Sequence, residues 1–562
     1  MVAIIFLFST REDGLASGFK PVNHQPELDL NRFIIENPQI NEEECVPMDV
    51  LFVGGGPAGL CGAIRLARKV QELKTQDPSY PDVEIGVLEK AQSLGGHSLS
   101  GAIINPVALM ELFPELDPSE FPFKHKVNSE KVYVLTPKKN FRIPTPPTMK
   151  NHGFYAASIC EVTRWLGEKA EALGINVFTS FPAESLLIKD GQVIGVRTVE
   201  AGLNRDGSPS AQHMPHTDIL ASVTVLCEGT RGPLTQSYLK WSGQESMAPQ
   251  IYALGVKEIW RLKKPLDSVI HTMGWPLGDT FGGSFAYPMG ENQMAIGLVG
   301  GLDYKNSNLD VHGELQNLKA HPLFHTLLEG GELVEWGAKT IPEGGFHSLP
   351  ERLSGNGIIL CGDAVGMVNV PALKGIHYAM KSGILAADTL SVAIPKSEFS
   401  REALKSYDDA VKNSFIYKDL YKVRNMRQAF KSGFIIGGIK ALLMTLTGGA
   451  FPPQAPHTEE DADEQKLFKD PKNYPGLKKV DGVYQSGNKT RDDIPSHLTV
   501  GQDITAELAD FYSSLCPAGV YERQDDQLVV NAPNCVDCKA TDVLGPRWQP
   551  REGGSGPNYT FM

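Results

Sequence analysis

The first regular elements along the chain are predicted from Met48, where an apolar run, MDVLFV, precedes a glycine-rich turn. The next segment, LCGAIRLARKVQEL, repeats its apolar positions at intervals of three and four, which is the spacing of one helix face. A polar loop, KTQDPSYPD, then leads to a second apolar run, EIGVLEK. Strand, helix and strand in this order predict a βαβ unit.

The rest of the chain contains segments with the spacing of apolar residues that is typical of helices and segments that are typical of strands. Its pattern predicts hairpin character over 121–150, a helix near 160–173, strands near 175–199 and a strand, SVTVLCEG, that ends at Gly229. Residues 250–345 alternate strand-like segments with glycine-rich turns, and 411–451 are helical. The predicted fold class is α/β (α+β overall), with a Rossmann-like domain in two parts, an inserted β-rich domain and a loop-rich tail.

Length and charge narrow the classes of function. The 562 residues, 41% hydrophobic and 21% charged, suffice for a large core and roughly three or four domains. The net charge of -13 argues against a nucleic acid partner, because phosphate binding needs a basic surface. Eight scattered cysteines are too few for a disulfide framework in so long a chain. We therefore expect a reducing compartment and, where cysteines cluster, a metal.

The N-terminal segment, MVAIIFLFSTREDG, has a short apolar run from Val2 to Phe8. It lacks a basic flank and a small-residue cleavage site, so we expect no secretory signal peptide. The following residues are acidic and poor in arginine, which argues against a mitochondrial transit peptide. No apolar stretch reaches the roughly 20 residues that a membrane-spanning helix needs.

Gly54, Gly56 and Gly59 form the pattern G-x-G-x-x-G between the first strand and the first helix. Glycines allow the tight turn, and the helix N-terminus then offers backbone N–H groups to a pyrophosphate. Glu89 ends the second strand, where a carboxylate binds ribose hydroxyls. The polar loop explains why Glu89 lies farther from the turn than is usual. The alternative is a turn that serves packing alone.

A second strand end, IILCGDA, places Gly362 and Asp363 before a helix that opens near Pro371 and Gly375. In a two-part FAD fold such an aspartate binds the ribitol chain, and the helix N-terminus stabilises the reduced flavin anion. A third, weaker strand end is CEG at Cys227–Gly229. The three in this order favour FAD over NAD, because a nicotinamide enzyme does not need the second Gly-Asp strand end.

The tail carries Cys516, Cys535 and Cys538 in the spacing C-x18-C-x2-C, among proline and glycine turns. Thiolates in such turns are typical ligands of an iron–sulfur cluster. A zinc knuckle and three thiols without a metal are the alternatives.

The segment FIIGGIKALLMTL, from Phe434 to Leu446, has one charged residue and is too short to span a membrane. Basic residues precede it at Lys412, Lys418, Lys422, Arg424, Arg427 and Lys431. A basic flank and a short apolar helix favour a helix that lies in the membrane interface, near anionic headgroups. The alternative is a buried core helix beside a solvated basic one.

From about Met48 to its end, the chain resembles the electron-transfer flavoprotein:ubiquinone oxidoreductase family. The resemblance rests on the segments VGGGPAGLCGAIRLA, EKAQSLGGHSLSGA, HTMGWPLGDTFGGSFAYP, GLVGGLDYKN, EGGFHSLPE, NVPALKGIHYAMKSGILAA, VRNMR, CPAGVYE and NAPNCVDCK. GWPL with FGGSF and the CPAGVYE tail are specific to this family, whereas the glycine turn is shared with many flavoproteins.

The resemblance implies a membrane-surface oxidoreductase that holds FAD, one 4Fe-4S cluster and ubiquinone. Electron-transfer flavoprotein would deliver single electrons, and these would pass through the cluster and FAD to the membrane quinone pool. No side chain is expected to act as an acid, base or nucleophile. The compartment implied is the cytoplasmic face of a bacterial inner membrane, or the mitochondrial inner membrane in a eukaryote.

The same resemblance assigns site residues. FAD would be held by Gly54, Gly55, Gly56, Gly59, Glu89, Gly362, Asp363 and Gly375. The backbone of Gly282 and Gly283 would bind a quinone carbonyl, since glycine permits close main-chain approach. Cys516, Cys535 and Cys538 would ligate the cluster, and Tyr521 would tune its potential by hydrogen bonding.

The resemblance also implies a division into domains. Residues 1–45 are an irregular lead-in, and the FAD domain is built from 46–120, 155–240 and 346–395. The quinone-binding, membrane-facing domain comprises 121–154 and 241–345, and the membrane-surface helix region is 411–451. A ferredoxin-like iron–sulfur domain occupies 465–562.

One position departs from the family pattern, which has four cysteines. Thr541 occupies the place of the fourth, after Ala540. Threonine is a poor iron ligand, but the adjacent Asp542 is a candidate, because a carboxylate can ligate iron. In order of expectation, the cluster is 4Fe-4S with an oxygen ligand, 3Fe-4S, or absent.

Two other functions compete with electron transfer to quinone. One is a geranylgeranyl-reductase-like FAD oxidoreductase, which has the same two-part fold but no use for the cysteine tail. The other is a membrane-docked flavoprotein whose degenerate cluster no longer conducts electrons.

Overall fold

The computed structural model of the protein describes residues 18–41, 43–432, 434–452, 457–469, 472–525 and 527–562. The expectations for the first 17 residues therefore lie outside the described part of the chain.

The strands, in chain order, are β1 (Gly18–Phe19), β2 (Ile34–Glu36), β3 (Val46–Val53), β4 (Ile85–Glu89), β5 (Ile103–Ile104), β6 (Phe123–Lys126), β7 (Glu130–Leu135), β8 (Asn140–Ile143), β9 (Tyr155–Ala157), β10 (Asn176–Thr179), β11 (Ala183–Lys189), β12 (Gln192–Thr198), β13 (Ala201–Leu203), β14 (Pro209–Met214), β15 (Asp218–Leu226), β16 (Tyr252–Arg261), β17 (Val269–Gly274), β18 (Gly282–Pro288), β19 (Gln293–Gly301), β20 (Glu332–Pro342), β21 (Ser354–Gly355), β22 (Ile358–Leu360), β23 (Lys466–Leu467), β24 (Leu498–Thr499), β25 (Tyr521–Gln524), β26 (Gln527–Val530) and β27 (Arg547–Trp548).

The α-helices are α1 (Leu30–Phe33), α2 (Pro57–Gln76), α3 (Val107–Leu112), α4 (Ile159–Ala172), α5 (Pro233–Trp241), α6 (Val311–Ala320), α7 (Pro322–Leu328), α8 (Ile376–Ala393), α9 (Arg401–Asn413), α10 (Phe415–Val423), α11 (Met426–Ala429), α12 (Phe434–Leu446), α13 (Lys479–Gln485), α14 (Ala506–Leu515) and α15 (Ala540–Leu544).

A nine-stranded sheet forms the first half of the molecule, in the order β10-β4-β3-β15-β12-β11-β2, with β22 beside β15 and β21 beside β22. The strands β10, β4, β3 and β15 run parallel, and β22 runs parallel to β15. Val50, Leu51 and Phe52 of β3 are fully buried, as expected for a parallel strand that is covered on both faces. The carboxyl ends of β3, β15 and β22 therefore meet at one edge of the sheet.

Helices α2 and α8, which follow β3 and β22, pack closely against each other. A Cβ atom on Gly383 of α8 would lie 2.1 Å from the carbonyl oxygen of Ala58, so only glycine allows this approach. The two helix N-termini are thus brought to the same edge of the sheet.

A seven-stranded sheet forms the second half, in the order β20-β16-β19-β18-β17-β7-β8. Its strands are antiparallel except for the pair β17 and β7. The C-terminal tail packs on this sheet, and Trp336 of β20 is fully buried against Gly482 of α13. The sheet and the tail share one hydrophobic core.

The lead-in is less irregular than its sequence predicts. Strand β2 adds to the edge of the nine-stranded sheet beside β11, and β1 pairs with β23. Phe33, at the end of α1, and Ile34, at the start of β2, are both buried. The three residues of β2 are too few to show an alternation of apolar and polar positions in the sequence. The other predicted domain boundaries stay predictions.

No helix in the described ranges is long and apolar enough to cross a membrane.

Candidate cofactor site

One cavity of about 2250 Å³ runs between the two large sheets. It is lined at one end by Gly54, Gly56 and Glu89, and also by Asp363 and Gly375. The same cavity reaches Gly282 and Gly283, and helix α12 through Gly438, Ala441, Leu442 and Thr445. Of the residues predicted to hold FAD, Gly55, Gly59 and Gly362 do not line it.

The three glycines of the first turn have different surroundings. A Cβ atom on Gly54, whose φ is +116°, would lie 2.3 Å from the carbonyl oxygen of Cys227. A Cβ atom on Gly59 would lie 2.1 Å from the carbonyl oxygen of Gly54. Around Gly56 there is nothing within 4 Å, so this position faces open space at the start of α2. Gly54 and Gly59 shape the turn, and Gly56 leaves room for a ligand.

Glu89 is fixed at the mouth of the turn. Its Oε2 accepts a hydrogen bond from the N–H of Gly55 at 3.1 Å, and its Oε1 accepts one from the N–H of Ala91 at 2.8 Å. These bonds hold the carboxylate at the end of β4, where the free lone pairs can accept from ribose hydroxyls.

Asp363 lies at the other strand end, just after β22. Burial raises the pKa of its carboxyl to about 6, and no described residue donates a hydrogen bond to it. A Cβ atom on Gly375, the residue before α8, would lie 3.5 Å from its Oδ1. An inward-facing carboxylate without donors fits the hydroxyls of a ribitol chain, so these residues together fit FAD.

Gly282 and Gly283 begin β18, at the wall opposite the glycine turn. A Cβ atom on Gly282 would lie 2.0 Å from the carbonyl oxygen of Val299, and one on Gly283 would lie 2.5 Å from that of Thr272. The sheet itself therefore requires both glycines. The sequence-based reason, close approach to a ligand, is not needed to explain them.

Arg427 of α11 connects this wall to the helices that follow. Its Nε donates to Glu343 at 2.8 Å and a terminal nitrogen donates to Asp303 at 3.0 Å. Its guanidinium lies 3.8 Å from the centre of the Phe281 ring. The motif VRNMR quoted above contains this residue, but its ion pairs join segments far apart in sequence and were not predictable.

Helix α12 presents apolar side chains to the outside. Ile436, Ile439, Leu442, Leu443 and Leu446 are 43–74% exposed. The alternative of a buried core helix is therefore not what the described part of α12 shows. A contiguous exposed apolar surface of this kind marks an interaction site.

Cys516, Cys535 and Cys538 are free thiols, and all three are buried. Burial raises the pKa of Cys535 to about 12, and the pKa of Cys538 is raised by burial and by the other two thiols. The N–H groups of Val520 and Ala518 point to Cys516, and that of Ala540 points to Cys538. Buried thiols with backbone donors fit a site where iron takes the place of the protons.

Thr541 and Tyr521 lie beside these thiols. Burial raises the pKa of the Tyr521 phenol well above its usual value, Thr541 lowers it, and the three thiols raise it further. The hydroxyls of Thr541 and Tyr521 are thus near neighbours at the place of the missing fourth ligand.

Both carboxylate oxygens of Asp542 already accept hydrogen bonds from protein groups. Its Oδ2 accepts a bond from Nε of Arg231 at 2.5 Å, and its Oδ1 accepts from the N–H of Trp548 at 3.0 Å. Burial alone would raise the pKa of Asp542, but Arg231 and Arg547 hold it below its usual value. The geometry does not support Asp542 as an iron ligand, because ligation would break the ion pair with Arg231.

Sequence reasoning missed Asp537, which lies between two of the thiols. Its buried carboxylate accepts bonds from Lys90 at 2.5 Å, Arg551 at 2.9 Å and Trp548 at 3.0 Å. Lys90 directly follows β4 of the first sheet, so this carboxylate joins the tail to the glycine-turn half of the molecule. His497, Cys535 and Asp537 also offer donor atoms within 4.8 Å of one another.

The cavity touches this region too. Lys539, the residue after Cys538, lines it together with Trp548 and Pro550. The thiol site therefore lies next to the wall of the cavity that fits FAD.

Two family models match the chain. One, described as ETF-QO, ubiquinone-binding, matches residues 252–341. The other, described as electron transfer flavoprotein-ubiquinone oxidoreductase, 4Fe-4S, matches residues 476–560. The first spans the seven-stranded sheet from β16 to β20, and the second spans the thiol site.

Similar proteins cover almost the whole chain. A mitochondrial electron transfer flavoprotein-ubiquinone oxidoreductase of Oryza sativa subsp. japonica is 38% identical, over 92% of this chain and 94% of that protein. The mitochondrial protein of the same name from Arabidopsis thaliana is 37% identical, over 92% of this chain and 85% of that protein.

Among solved structures, a geranylgeranyl bacteriochlorophyll reductase-like protein from Thermoplasma acidophilum has a TM-score of 0.54 and 17% identity. The match covers 73% of this chain and 93% of that one, and it shows the fold alone. The predicted fold class is confirmed. With 37–38% identity over 92% of its length, the chain belongs to the electron transfer flavoprotein-ubiquinone oxidoreductase family.

Proposed function

We propose that this protein takes electrons from reduced electron-transfer flavoprotein and passes them through an iron–sulfur cluster and FAD to ubiquinone. The observation that carries the proposal is the continuous cavity of about 2250 Å³ between the sheets. It joins the residues that fit FAD, the strand that begins at Gly282, the thiol region and the apolar helix α12. An acceptor with a long apolar tail needs such a path from a membrane to a redox cofactor.

FAD supplies the storage of two electrons, and the chain supplies its binding and surroundings. We assign the pyrophosphate to the turn at Gly54 and Gly56, the ribose to Glu89 and the ribitol to Asp363. Gly282 and Gly283 are assigned to the quinone as part of the cavity wall.

For the cluster we propose Cys516, Cys535 and Cys538 as ligands, with solvent rather than Asp542 at the fourth iron. The engagement of Asp542 with Arg231 supports this choice. Thr541 and Tyr521 can donate hydrogen bonds at that corner. The order of expectation stays 4Fe-4S, then 3Fe-4S, then no cluster.

We also propose that α12 and its basic flank hold the protein on a membrane surface. The exposed apolar residues of α12 support this, because they lie on a helix that also lines the cavity through Gly438, Ala441, Leu442 and Thr445. The mitochondrial names of the similar proteins favour the mitochondrial inner membrane over a bacterial one.

A geranylgeranyl-reductase-like activity is the second candidate. Its only support is that the Thermoplasma protein has a similar fold. The thiol-bearing tail argues against it, because that chemistry needs no such ligand set.

The acceptor half-reaction tests the proposal. The detergent-solubilised holoprotein is reduced anaerobically and mixed with a short-tailed ubiquinone, and the return of oxidised FAD absorbance is followed. In the variant Gly438→Trp the new side chain enters open space on the cavity wall, because nothing lies within 4 Å of a Cβ there. We expect reoxidation to slow by at least about tenfold, since a filled pocket loses its ligand.

The matched control is Leu446→Trp, which puts the same side chain on the same helix at a 74% exposed position outside the cavity. Its reoxidation should stay within about twofold of the wild type. If ubiquinone does not reoxidise the wild-type protein, the proposed acceptor is wrong.

A further inference from the structure

The loop before α8 places a lysine against the cavity. Lys374 immediately precedes Gly375, the residue that caps the 18-residue helix. Its backbone is fixed by two hydrogen bonds with Asn369, of 2.7 Å and 3.1 Å. The side chain is only 8% exposed and lines the cavity. A buried ammonium group held in place in this way needs a compensating charge or strong acceptors.

Lys374 has neither among the described residues. Its Nζ donates to the carbonyl oxygens of Ala372 and Leu373 at 3.3 Å and 3.5 Å, both long for a hydrogen bond. The described residues provide no carboxylate within ion-pair distance. Glu130 acts on it only from farther away, and its carboxylate already accepts bonds from Asn151.

Three other buried lysines that line the cavity make shorter hydrogen bonds. Each donates to a backbone carbonyl oxygen: Lys257 to that of Ser100 at 2.8 Å, Lys339 to that of Asp537 at 3.1 Å, and Lys539 to that of Arg231 at 2.9 Å. Burial lowers the pKa of both Lys374 and Lys539 to about 7, and that of Lys257 and Lys339 to about 8. Of these four buried lysines, Lys374 makes the longest hydrogen bonds, and among the described residues its ammonium otherwise faces only the Phe154 ring, at 5.9 Å from the ring centre.

A second polar group beside Lys374 is also incomplete. His271 lines the cavity, is 4% exposed and bonds Tyr287 through Nε2 at 2.8 Å, while its Nδ1 has no partner within the described ranges. Burial and the nearby Lys374 lower the pKa of His271 to about 3, so it is neutral. Within ion-pair distance, the described groups around Lys374 thus supply hydrogen bonding but no negative charge, and Glu130 acts only from farther away.

We propose that Lys374 is the cation that stabilises the reduced flavin, by lying near the pyrimidine part of its ring. This inference rests on the proposed function, since it requires FAD in the cavity. Asp363, assigned to the ribitol, lies next to Gly375, so a ring that continues from the ribitol would come near the start of α8. The helix N-terminus adds a partial positive charge at the same place.

The charges balance in this arrangement. Uptake of two electrons and one proton by oxidised flavin leaves one negative charge at N1 and the C2 carbonyl. The ammonium of Lys374 would neutralise this charge. The charge would disappear when the two electrons and that one proton pass to the quinone, which would take its second proton from solvent to become quinol. A cation near N1 raises the reduction potential of the flavin, which favours acceptance from the donor.

The test compares purified holoproteins: wild type, Lys374→Met and Lys374→Arg, with Lys257→Met as the control for loss of another buried cavity lysine. FAD content is measured first. Sulfite is then titrated, because its adduct at N5 carries the same negative charge at N1 and C2, and the two-electron midpoint potential is measured by spectroelectrochemistry.

We expect Lys374→Met to retain FAD, to bind sulfite at least about tenfold more weakly and to have a lower potential, since one nearby unit charge is lost. Lys374→Arg and Lys257→Met should stay within about threefold of the wild type in sulfite affinity. FAD-replete Lys374→Met with unchanged sulfite affinity and potential overturns the inference.

If Lys374→Met loses FAD, the same measurements are made on Lys374→Gln, which is also neutral but keeps a polar side chain. If both neutral variants lose FAD while Lys374→Arg keeps it, Lys374 serves cofactor retention, and the inference is again overturned. Wild-type protein without FAD would instead contradict the proposed function itself.

Discussion

At the scale of single residues, the glycine turn separates positions that the fold needs from one that a ligand needs. Gly54 and Gly59 are enclosed by backbone atoms, and a side chain at either would distort the turn. Gly56 is enclosed by nothing within 4 Å, and its φ of −87° suits any residue. Its lack of a side chain is therefore useful only to a bound molecule.

This difference makes Gly56→Val a specific probe. The variant should fold normally, since nothing lies within 4 Å of a Cβ at this position, but the valine side chain should fill the space assigned to the pyrophosphate. We expect FAD occupancy to fall by at least about tenfold with an unfolding temperature within about 3 °C of the wild type. Absorbance after desalting and thermal denaturation measure the two quantities. Full occupancy would show that the pyrophosphate lies elsewhere.

Thr541 is the residue on which the state of the cluster depends. An oxygen ligand exchanges more easily than a thiolate, so the iron at this corner should be lost first on oxidation. In anaerobic preparations of the wild type we expect a four-iron cluster that converts to the three-iron form in air. Thr541→Cys should resist this conversion, and Thr541→Ser should not.

Low-temperature EPR with iron and acid-labile sulfide analysis distinguishes these states. Anaerobic wild-type protein without iron and sulfide would contradict the assignment of the three cysteines. Electrons would then have to reach FAD directly from the donor.

The sequence predicted the chemistry of these residues better than their surroundings. The motifs named Gly54, Gly56, Glu89 and Asp363 because each ends or follows a strand in a recognisable order. They could not show that Asp542 forms an ion pair with Arg231, 311 positions away, or that no described carboxylate lies within ion-pair distance of Lys374. Such contacts depend on packing between distant segments, which leaves no local pattern.

At the scale of elements, α12 is the clearest case of a helix without a protein partner on one side. Its apolar residues Ile436, Ile439, Leu442, Leu443 and Leu446 are exposed, although the helix also closes one end of the cavity. Its length of 13 residues is about 20 Å, which suits a helix lying in the membrane interface.

We expect the variant Ile439→Ser, Leu442→Ser, Leu443→Ser to move the protein from the membrane fraction to the soluble fraction. Each full burial of such a side chain contributes about 1.5–3 kcal/mol, so three losses should remove most of the binding. Flotation with phospholipid vesicles measures the partition. The control is Val392→Ser, which removes another exposed apolar residue, 60% exposed and away from α12.

A triple variant that stays folded and still floats with the vesicles would place the membrane contact elsewhere.

Helices and strands were predictable from the sequence where the repeat of apolar positions extends over enough residues. The helices α2, α4 and α8 and the strands β3, β4 and β15 lie where the pattern places them. The short β2 carries no readable period, and it is held by pairing with β11 rather than by its own sequence. The role of Gly282 and Gly283 in packing the sheet also became visible only from the neighbouring strands.

At the scale of the whole molecule, the two sheets and the tail meet around one cavity. The nine-stranded sheet supplies the FAD-binding edge, the seven-stranded sheet supplies the opposite wall, and α12 closes the end. The tail brings three thiols to the same wall and is tied to the first sheet through Asp537 and Lys90. This arrangement brings the residues proposed for FAD and the quinone into one connected cavity, with the proposed cluster site beside it.

The most direct test of this account is the complete reaction. Purified holoprotein in detergent is mixed anaerobically with electron-transfer flavoprotein that is kept reduced, and the loss of a short-tailed ubiquinone is followed by absorbance. The account predicts catalytic ubiquinone reduction that requires both the donor and this protein, and that Gly56→Val abolishes. Donor-dependent reduction of the bound FAD without any transfer to ubiquinone, or equal rates with and without this protein, would contradict it.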